Sequence, residues 1–142
     1  LGQKDPQKAV HWLQKAADAG HKSAWGMLGA AFMNGEGVEK DHMKAFEWLQ
    51  KAAQAGNSDC MVQLGEMFSE GTEAVEKDYE EAYEWFEKAA FAGSKEGMVW
   101  LATSKIYGRG CEANLREARE WLSKAIAQGS KRASALYEQF FG

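Results

Sequence analysis

Residues 28–60 read LGAAFMNGEGVEKDHMKAFEWLQKAAQAGNSDC and contain one complete copy of a unit that recurs along the chain. Within it, Asp41 is a favourable N-cap, because its carboxylate can accept a hydrogen bond from a free amide of the first helical turn. Gly56 supplies the left-handed conformation with which helices commonly end. Between these two residues the apolar side chains form one stripe of helical period: Ala45, Trp48, Leu49, Ala52 and Ala53. The first half of the unit therefore predicts an amphipathic helix.

The second half of the unit predicts a partner helix. Asn57 and Ser58 are candidate caps at its start, and Gly71 is expected to close it. Small residues such as Gly65 let two helices approach closely, while large side chains fill the space beside them. In the second half of the unit, Gly65 is the small residue of this pattern, and the large ones are Met61, Leu64 and Phe68. The complete unit is therefore predicted to be a helical hairpin.

The unit returns at an almost constant spacing. Its tryptophans are separated by 36, 37 and 36 residues, at Trp12, Trp48, Trp85 and Trp121, and we expect them to be core residues. The one extra residue lies in the loop 71–78, where an insertion costs little. A fixed period of this length is typical of a solenoid, in which neighbouring hairpins bury one another. We predict one all-α domain over residues 1–142, cut from a longer protein, with four hairpins near 5–34, 41–70, 78–107 and 114–141.

Two pairs of polar residues at helix starts and one position in the last helix have local consequences. Asp78 and Glu81, like Asn114 and Glu117, have the spacing of a capping box, in which the acidic side chain returns to the amide of the capping residue. Glu138 takes the place of a close-approach glycine in the last helix. A charge there suits the end of the solenoid, because no further helix would have to pack against it.

Lys105 interrupts the repeat, since it stands where the other copies carry Phe32 and Phe68. We expect Ile106 and Tyr107 to supply the missing apolar bulk after a small rotation of the helix.

The two cysteines, Cys60 and Cys111, occupy repeat positions that are small or apolar in the other copies. Both are expected to be buried thiols in different repeats rather than a disulfide or a reactive site. Their presence indicates no particular redox compartment.

The formal charge of −4 is unevenly distributed. Residues 59–87 carry ten acidic and one basic side chain, whereas residues 88–142 carry nine basic and five acidic ones. The acidic middle disfavours nucleic acid as a partner and favours a basic protein or peptide. No apolar run is long enough for membrane insertion. The compartment stays open, with the bacterial cytoplasm or periplasm favoured.

The sequence specifies no metal site, cofactor site or phosphate loop. The three histidines, His11, His21 and His42, have no second ligand at suitable spacing and are expected to be solvated helix residues. The segment 35–38, GEGV, resembles a phosphate-binding loop but joins two predicted helices and follows no strand.

Two carboxylate pairs leave one catalytic alternative open. Glu66 with Glu70, and Glu80 with Glu84, are spaced by one helical turn, as glycosidase or metal-site carboxylates can be. On the helices of a solenoid such pairs more often form an exposed acidic face. The alternative to a binding protein is therefore a hydrolase of cell-wall or glycan substrates.

The stretch from Ala24 to Gly56 has the pattern A-x-x-x-L-G-x-x-F-x-x-G-x-G-V-x-x-D-x-x-K-A-x-x-W-L-x-K-A-A-x-x-G. Repeated in register over nearly all of the chain, it closely resembles the Sel-one-like repeat (SLR) family, which is related to the tetratricopeptide repeats. The resemblance implies a right-handed α/α superhelix whose concave face docks other proteins, and an adaptor or scaffold role without catalysis. Some bacterial members carry a disulfide inside each repeat, and the cysteine positions here do not match that branch.

By analogy with tetratricopeptide grooves, the second helix of each hairpin is expected to line the concave face. Apolar contacts are expected from Met33, Val62, Val99 and Tyr107, and selection of a basic partner from Glu66 and Glu70. Two tryptophans outside the periodic position are either extra packing or anchors for a partner. The predicted binding residues are Trp25, Gly26, Ala30, Met33, Asn34, Val62, Glu66, Ser69, Glu70, Val99, Trp100, Thr103, Ile106 and Tyr107.

A third, purely structural hypothesis is a homo-oligomer formed through the end helices, where the N-terminal helix and the apolar segment 137–141 would meet copies of themselves.

Overall fold

The computed structural model describes residues 5–142, which form eight α-helices and no β-strand in that range. Consecutive helices pair into four hairpins, each consisting of a first helix and a second helix. The first helices are α1 (Pro6–Asp18), α3 (His42–Gln54), α5 (Tyr79–Phe91) and α7 (Leu115–Ala127). The second helices are α2 (Lys22–Asn34), α4 (Ser58–Glu70), α6 (Lys95–Tyr107) and α8 (Lys131–Phe141). The predicted all-α solenoid of four hairpins is confirmed.

The predicted N-caps are present. The Asp41 carboxylate accepts a hydrogen bond from the Lys44 amide at 3.1 Å, and the Asn57 side chain accepts one from the Cys60 amide at 3.1 Å. At the ends of the first helices, Gly56 and its equivalents adopt positive φ angles, as expected for left-handed terminating residues.

The reciprocal half of the two capping boxes is absent. The Asp78 amide donates to the Phe68 carbonyl at 2.8 Å, and the Asn114 amide donates to the Lys105 carbonyl at 2.8 Å. These bonds tie the start of each first helix to the preceding second helix. Because the capping amide is already satisfied, the side chain of Glu117 is free to bond elsewhere.

Close approach between hairpins occurs at the glycines of the second helices. A Cβ atom added to Gly29 would lie 2.7 Å from Leu49 Cδ2, and one added to Gly65 would overlap the Phe86 ring. The largest buried side chains lie in the layers between neighbouring hairpins: Leu28, Leu49, Leu64, Phe86, Val99, Leu101 and Leu122. The core is therefore distributed along the solenoid, as the repeat predicts.

The periodic tryptophans are not equally buried. Trp85 is only 7% exposed, because it packs against α4 of the preceding hairpin. Trp48 and Trp121 are half-buried, and Trp12 is 64% exposed. The prediction that all four are core residues is therefore wrong for Trp12, since the described residues include no helix that packs on the outer side of α1.

Lys105 itself fills the position held by phenylalanine in other repeats. It is 8% exposed, and its Nζ donates to Glu117 Oε1 at 2.7 Å and to the Tyr83 hydroxyl at 3.1 Å. The prediction that Ile106 and Tyr107 supply the missing apolar side chains is wrong in part. Ile106 is half-buried against the core, but Tyr107 is 51% exposed.

Both cysteines are free thiols. Cys60 is buried as predicted, and burial, assisted by the nearby Asp59 charge, raises its pKa to about 11. Cys111 is only partly buried, in contrast to the prediction, because it lies in the loop after α6 with its Sγ 3.6 Å from the Ser104 carbonyl oxygen.

Candidate functional site

The second helices share one face of the solenoid, and two cavities open on it. Each cavity lies between two consecutive second helices, near their C-terminal ends and the loops that follow. We call the cavity between α2 and α4 the acidic pocket, and the cavity between α4 and α6 the cationic pocket. Glu70 lies on the wall that they have in common.

The acidic pocket has a volume of about 570 Å³. Three carboxylates surround it, from Glu66, Glu70 and Glu73, and the accessible apolar surface comes chiefly from Met33, because Met67 is only 5% exposed. The remaining lining residues are Ala30, Asn34, His42, Gln63, Gly71 and Thr72, with His42 Nδ1 3.9 Å from Glu73 Oε2. The pocket therefore combines negative charge with apolar contact surface.

Partial burial and a neighbouring charge both act on the Glu66 carboxylate of this pocket. Its pKa is raised above the ordinary value, first because partial burial removes hydration and second because Glu70 lies one helical turn away. The positive charge of Arg132 on α8 opposes this shift. A cation entering the pocket would relieve the repulsion between the two carboxylates.

The cationic pocket has a volume of about 400 Å³ and the opposite character. Lys77 and Arg109 both approach the ring of Tyr79, with Lys77 Nζ 4.8 Å and Arg109 Cζ 5.5 Å from its centroid. The Lys77 ammonium near the phenolic oxygen, followed by the charges of Lys77 and Arg109, lowers the Tyr79 pKa. The remaining lining residues are Ser69, Glu70, Ala82, Phe86, Trp100, Thr103 and Ser104.

Trp100 forms the aromatic wall of the cationic pocket. Its ring stacks on Phe86 with a centroid distance of 5.2 Å and an interplanar angle of 9°, and Arg132 Cζ lies 5.0 Å from the Trp100 ring. Its Nε1 is buried and completes no hydrogen bond within residues 5–142, although it lies near enough to Glu66 to favour the charged carboxylate. Trp100 therefore contributes both to packing and to the open surface.

The two pockets bring together eight of the predicted binding residues. The acidic pocket collects Ala30, Met33, Asn34, Glu66 and Glu70. The cationic pocket collects Ser69, Trp100 and Thr103, and shares Glu70.

The other six predicted binding residues lie outside the pockets. Two of the expected apolar contacts are wrong: Val62 is 7% exposed and Val99 is 0% exposed, because both side chains point into the core. Trp25 is half-buried, and its indole N–H donates to the Ala17 carbonyl at 3.3 Å. Gly26 faces α4, where an added Cβ would lie 3.0 Å from Cys60 Sγ.

Ile106 and Tyr107 belong to the C-terminal end of the solenoid instead. Ile106 packs against the last core cluster, and the exposed Tyr107 ring contacts Phe140 edge-on at a centroid distance of 5.8 Å. Tyr107 is therefore exposed as predicted but contacts α8 and lines neither pocket.

Sequence reasoning missed the pocket residues that come from loops and first helices. These are chiefly His42, Thr72, Glu73, Lys77, Tyr79 and Arg109. A signal for them exists, because His42 and Tyr79 stand 37 residues apart at the same repeat position, as do Thr72 and Arg109. A prediction restricted to the second helices does not include these residues.

The part of the chain that the structure describes has neither a metal-binding cluster nor a membrane-spanning helix. Within residues 5–142, no group of three or more histidine, cysteine or acidic side chains is arranged to hold a metal ion. Glu80 and Glu84 are exposed on α5, away from the acidic pocket. None of the eight described helices is both long and apolar enough to cross a bilayer.

Comparison with known proteins gives a consistent result. The family model for the Sel1 repeat matches residues 2–21, 27–57, 58–94 and 95–130. A protective antigen of uropathogenic Escherichia coli with an SLR fold is similar over 97% of this chain and 30% of its own, with 31% identity and a TM-score of 0.87. A Sel1 repeat protein from Oxalobacter formigenes is similar over 94% of this chain and 54% of its own, with 32% identity and a TM-score of 0.87.

A more distant likeness concerns the fold alone. Cysteine-rich protein B of Helicobacter pylori is 24% identical over 96% of this chain and 97% of its own, with a TM-score of 0.72. No functionally curated protein matches the chain.

Proposed function

Because the chain belongs to the Sel1 repeat family, whose members generally mediate protein–protein interactions, we propose that it is a non-catalytic scaffold that holds a partner peptide or protein on its second-helix face. The four hairpins would act as one rigid body. The partner would present a lysine or arginine side chain to the acidic pocket. A preformed surface of this kind loses little conformational entropy on binding.

The observation that carries this proposal is the composition of the acidic pocket. Glu66, Glu70 and Glu73 surround a cavity whose accessible apolar surface comes chiefly from Met33. The long aliphatic stem of a lysine or arginine would pack on Met33 while its charge meets the carboxylates. Such a contact gives specificity and a salt-dependent affinity.

The hydrolase alternative gains no support from the arrangement. Glu66 and Glu70 share one wall and one helix face rather than facing each other across a cleft, as the two carboxylates of a glycosidase do.

Selection from a phage-displayed random dodecapeptide library tests the proposal. Peptides recovered on the wild-type protein should be enriched in lysine and arginine, and their binding should weaken as salt is raised. The variant Glu66→Lys with Glu70→Lys should lose at least tenfold in affinity without a lower melting temperature.

The matched control is Glu80→Lys with Glu84→Lys, which makes the same charge change on an exposed pair of α5. This control should bind like the wild type. Recovery of no peptides, or equal binding by both double variants, would overturn the proposal.

A further inference from the structure

The acidic and cationic pockets occupy the same place in consecutive repeats. Met33, His42 and Glu66 of the acidic pocket correspond, 36 or 37 residues later, to Ser69, Tyr79 and Thr103 of the cationic pocket. The repeat therefore offers the same cavity twice, and the residue changes between copies replace a carboxylate by a hydroxyl and a methionine by a serine.

The two cations of the second cavity contact aromatic rings but have no carboxylate partner within residues 5–142: Lys77 lies over Tyr79, and Arg109 lies between Tyr79 and Tyr107, 4.7 Å from the Tyr107 centroid. Among the described residues, neither Lys77 nor Arg109 has a carboxylate oxygen within 4 Å. This holds although residues 59–87 carry ten acidic side chains and Glu70 lies on the same cavity wall. Two cations held against one aromatic ring repel each other, and an entering anion would relieve that repulsion.

Of the four hydroxyl groups that line the cavity, two already donate hydrogen bonds to backbone carbonyls and two do not. Thr103 Oγ1 donates to the Val99 carbonyl at 2.8 Å, and Ser104 Oγ donates to the Trp100 carbonyl at 3.1 Å. The hydroxyls of Ser69 and Tyr79 donate to no protein acceptor in the described range and so remain available. The cavity therefore offers two cations and two hydroxyl donors, which suits a carboxylate.

We propose that the two pockets together bind one extended peptide segment that carries a basic and an acidic side chain about three residues apart, the basic one in the acidic pocket and the acidic one in the cationic pocket. The second helices α4 and α6 are in direct contact, and packed helices lie about 8–10 Å apart. A peptide in the extended polyproline II conformation rises about 3.1 Å per residue and has three residues per turn. Side chains three residues apart therefore leave the same face about 9 Å from each other and can enter the two cavities. This proposal rests on the proposed function and specifies its partner.

The carboxylate is assigned to an acidic side chain rather than to a chain terminus. The second-helix face continues beyond the cationic pocket to α8, where Arg132 lies over the Trp100 ring. A bound segment therefore has surface to follow on both sides of the cationic pocket.

To test this proposal, the peptide library selection is repeated with the double variant Lys77→Gln, Arg109→Gln as the target. Wild-type selections should show aspartate or glutamate three residues from the lysine or arginine, in either chain direction. The variant should keep the basic preference and lose the acidic one. The matched control is Lys40→Gln with Arg116→Gln, because Lys40 is the repeat equivalent of Lys77 and both residues are exposed outside the cavities.

A synthetic peptide from the selection then provides the quantitative test. In fluorescence anisotropy, its glutamate-to-glutamine version should bind the wild type about tenfold more weakly and should bind the Lys77→Gln, Arg109→Gln variant as tightly as the parent peptide does. Basic peptides with no acidic preference would overturn this inference and leave the proposed function standing. Peptides that require a free C-terminal carboxylate would overturn the side-chain assignment, and recovery of no peptides would overturn both proposals.

Discussion

The Lys105 ammonium lies 2.7 Å from a Glu117 carboxylate oxygen, at a position where the two preceding repeats place a phenylalanine. The lysine is 8% exposed, and its second hydrogen bond goes to the Tyr83 hydroxyl at 3.1 Å. Burial alone would lower the Lys105 pKa, but the hydrogen bonds with Glu117 and Tyr83 outweigh it and the pKa is raised. This side chain therefore stays charged inside the solenoid.

We expect substitution of Glu117 to lower the stability more than substitution of Lys105. Glu117→Gln leaves a buried ammonium without its counter-charge and should lower the free energy of unfolding. Lys105→Phe restores the residue type of the other repeats and should unfold at the same or a higher urea concentration than the wild type, since a well-packed apolar replacement is often neutral or stabilising. Urea denaturation followed by circular dichroism measures both. A Lys105→Phe variant less stable than Glu117→Gln would contradict this expectation.

The same pair makes stability depend on acid. The hydrogen bond from Lys105 lowers the Glu117 pKa below its ordinary value of 4.5. The contribution of the pair is therefore fully present above about pH 4.5 and is lost as the pH falls through the lowered folded value. The melting temperature of the wild type should drop relative to Lys105→Phe over that range. A constant difference between pH 7 and pH 3 would show that the pair carries no linkage.

The contribution of Glu66 to stability should depend on pH in the opposite direction. Its pKa is raised in the folded protein, chiefly by burial, so the folded state binds more protons than the unfolded state between the ordinary and the raised value. Stability therefore falls as the pH rises through this interval. Glu66→Gln should melt above the wild type at pH 7 and at the same temperature below about pH 4.5. The exposed Glu84→Gln serves as the control and should not change the profile.

Much of the fold could be predicted from sequence because the same capping and packing residues recur in each copy of the repeat. The close-approach glycines and the cap residues Asp41 and Asn57 lie where their spacing placed them. Errors arose where one copy departs from the others and, at Trp12, where an identical residue has no preceding hairpin among the described residues. Lys105 gave no sign of its partner, because Glu117 lies 12 residues away and its spacing suggested a capping role instead.

The site could be predicted less completely, because helical period alone does not separate a surface residue from a core residue near the edge of the stripe. Helical period places Val62 and Val99 on the open face, although their side chains turn inward. The loop residues Glu73 and Arg109 became visible only when folding brought the ends of the second helices together.

Gly65 tests how strictly the hairpins must approach one another. Its added Cβ would overlap the Phe86 ring, which is itself 1% exposed and has no room to move. Gly65→Ala should lower the free energy of unfolding by about 1–3 kcal/mol, despite the better helix propensity of alanine. The equivalent position of α6 is already an alanine, Ala102, which is 0% exposed. Ala102→Gly is the reverse substitution at this register and should also destabilise, because it lowers helix propensity and removes a buried methyl group. An unchanged or higher stability for Gly65→Ala would show that the hairpins can separate without cost.

The tryptophans of the repeat offer a final comparison between identical sequence positions in different surroundings. Trp85 is 7% exposed and belongs to the core cluster between α4 and α5, whereas Trp12 is 64% exposed on α1. Trp85→Ala should cost about 3–5 kcal/mol of unfolding free energy, because it removes a large buried side chain and leaves a cavity. Trp12→Ala should cost about 0.5 kcal/mol or less, as is usual for exposed positions.

Both substitutions remove the same number of atoms from the same helix register, so the difference between their unfolding free energies isolates the contribution of the preceding hairpin. Urea titration with helical circular dichroism as the signal measures it without relying on tryptophan fluorescence. Equal losses for the two variants would mean that the tryptophan stabilises its own helix rather than the stacking of one hairpin on the next. A larger loss at Trp85 would place that stabilisation at the contact between α4 and α5, where Gly65 and Phe86 also meet.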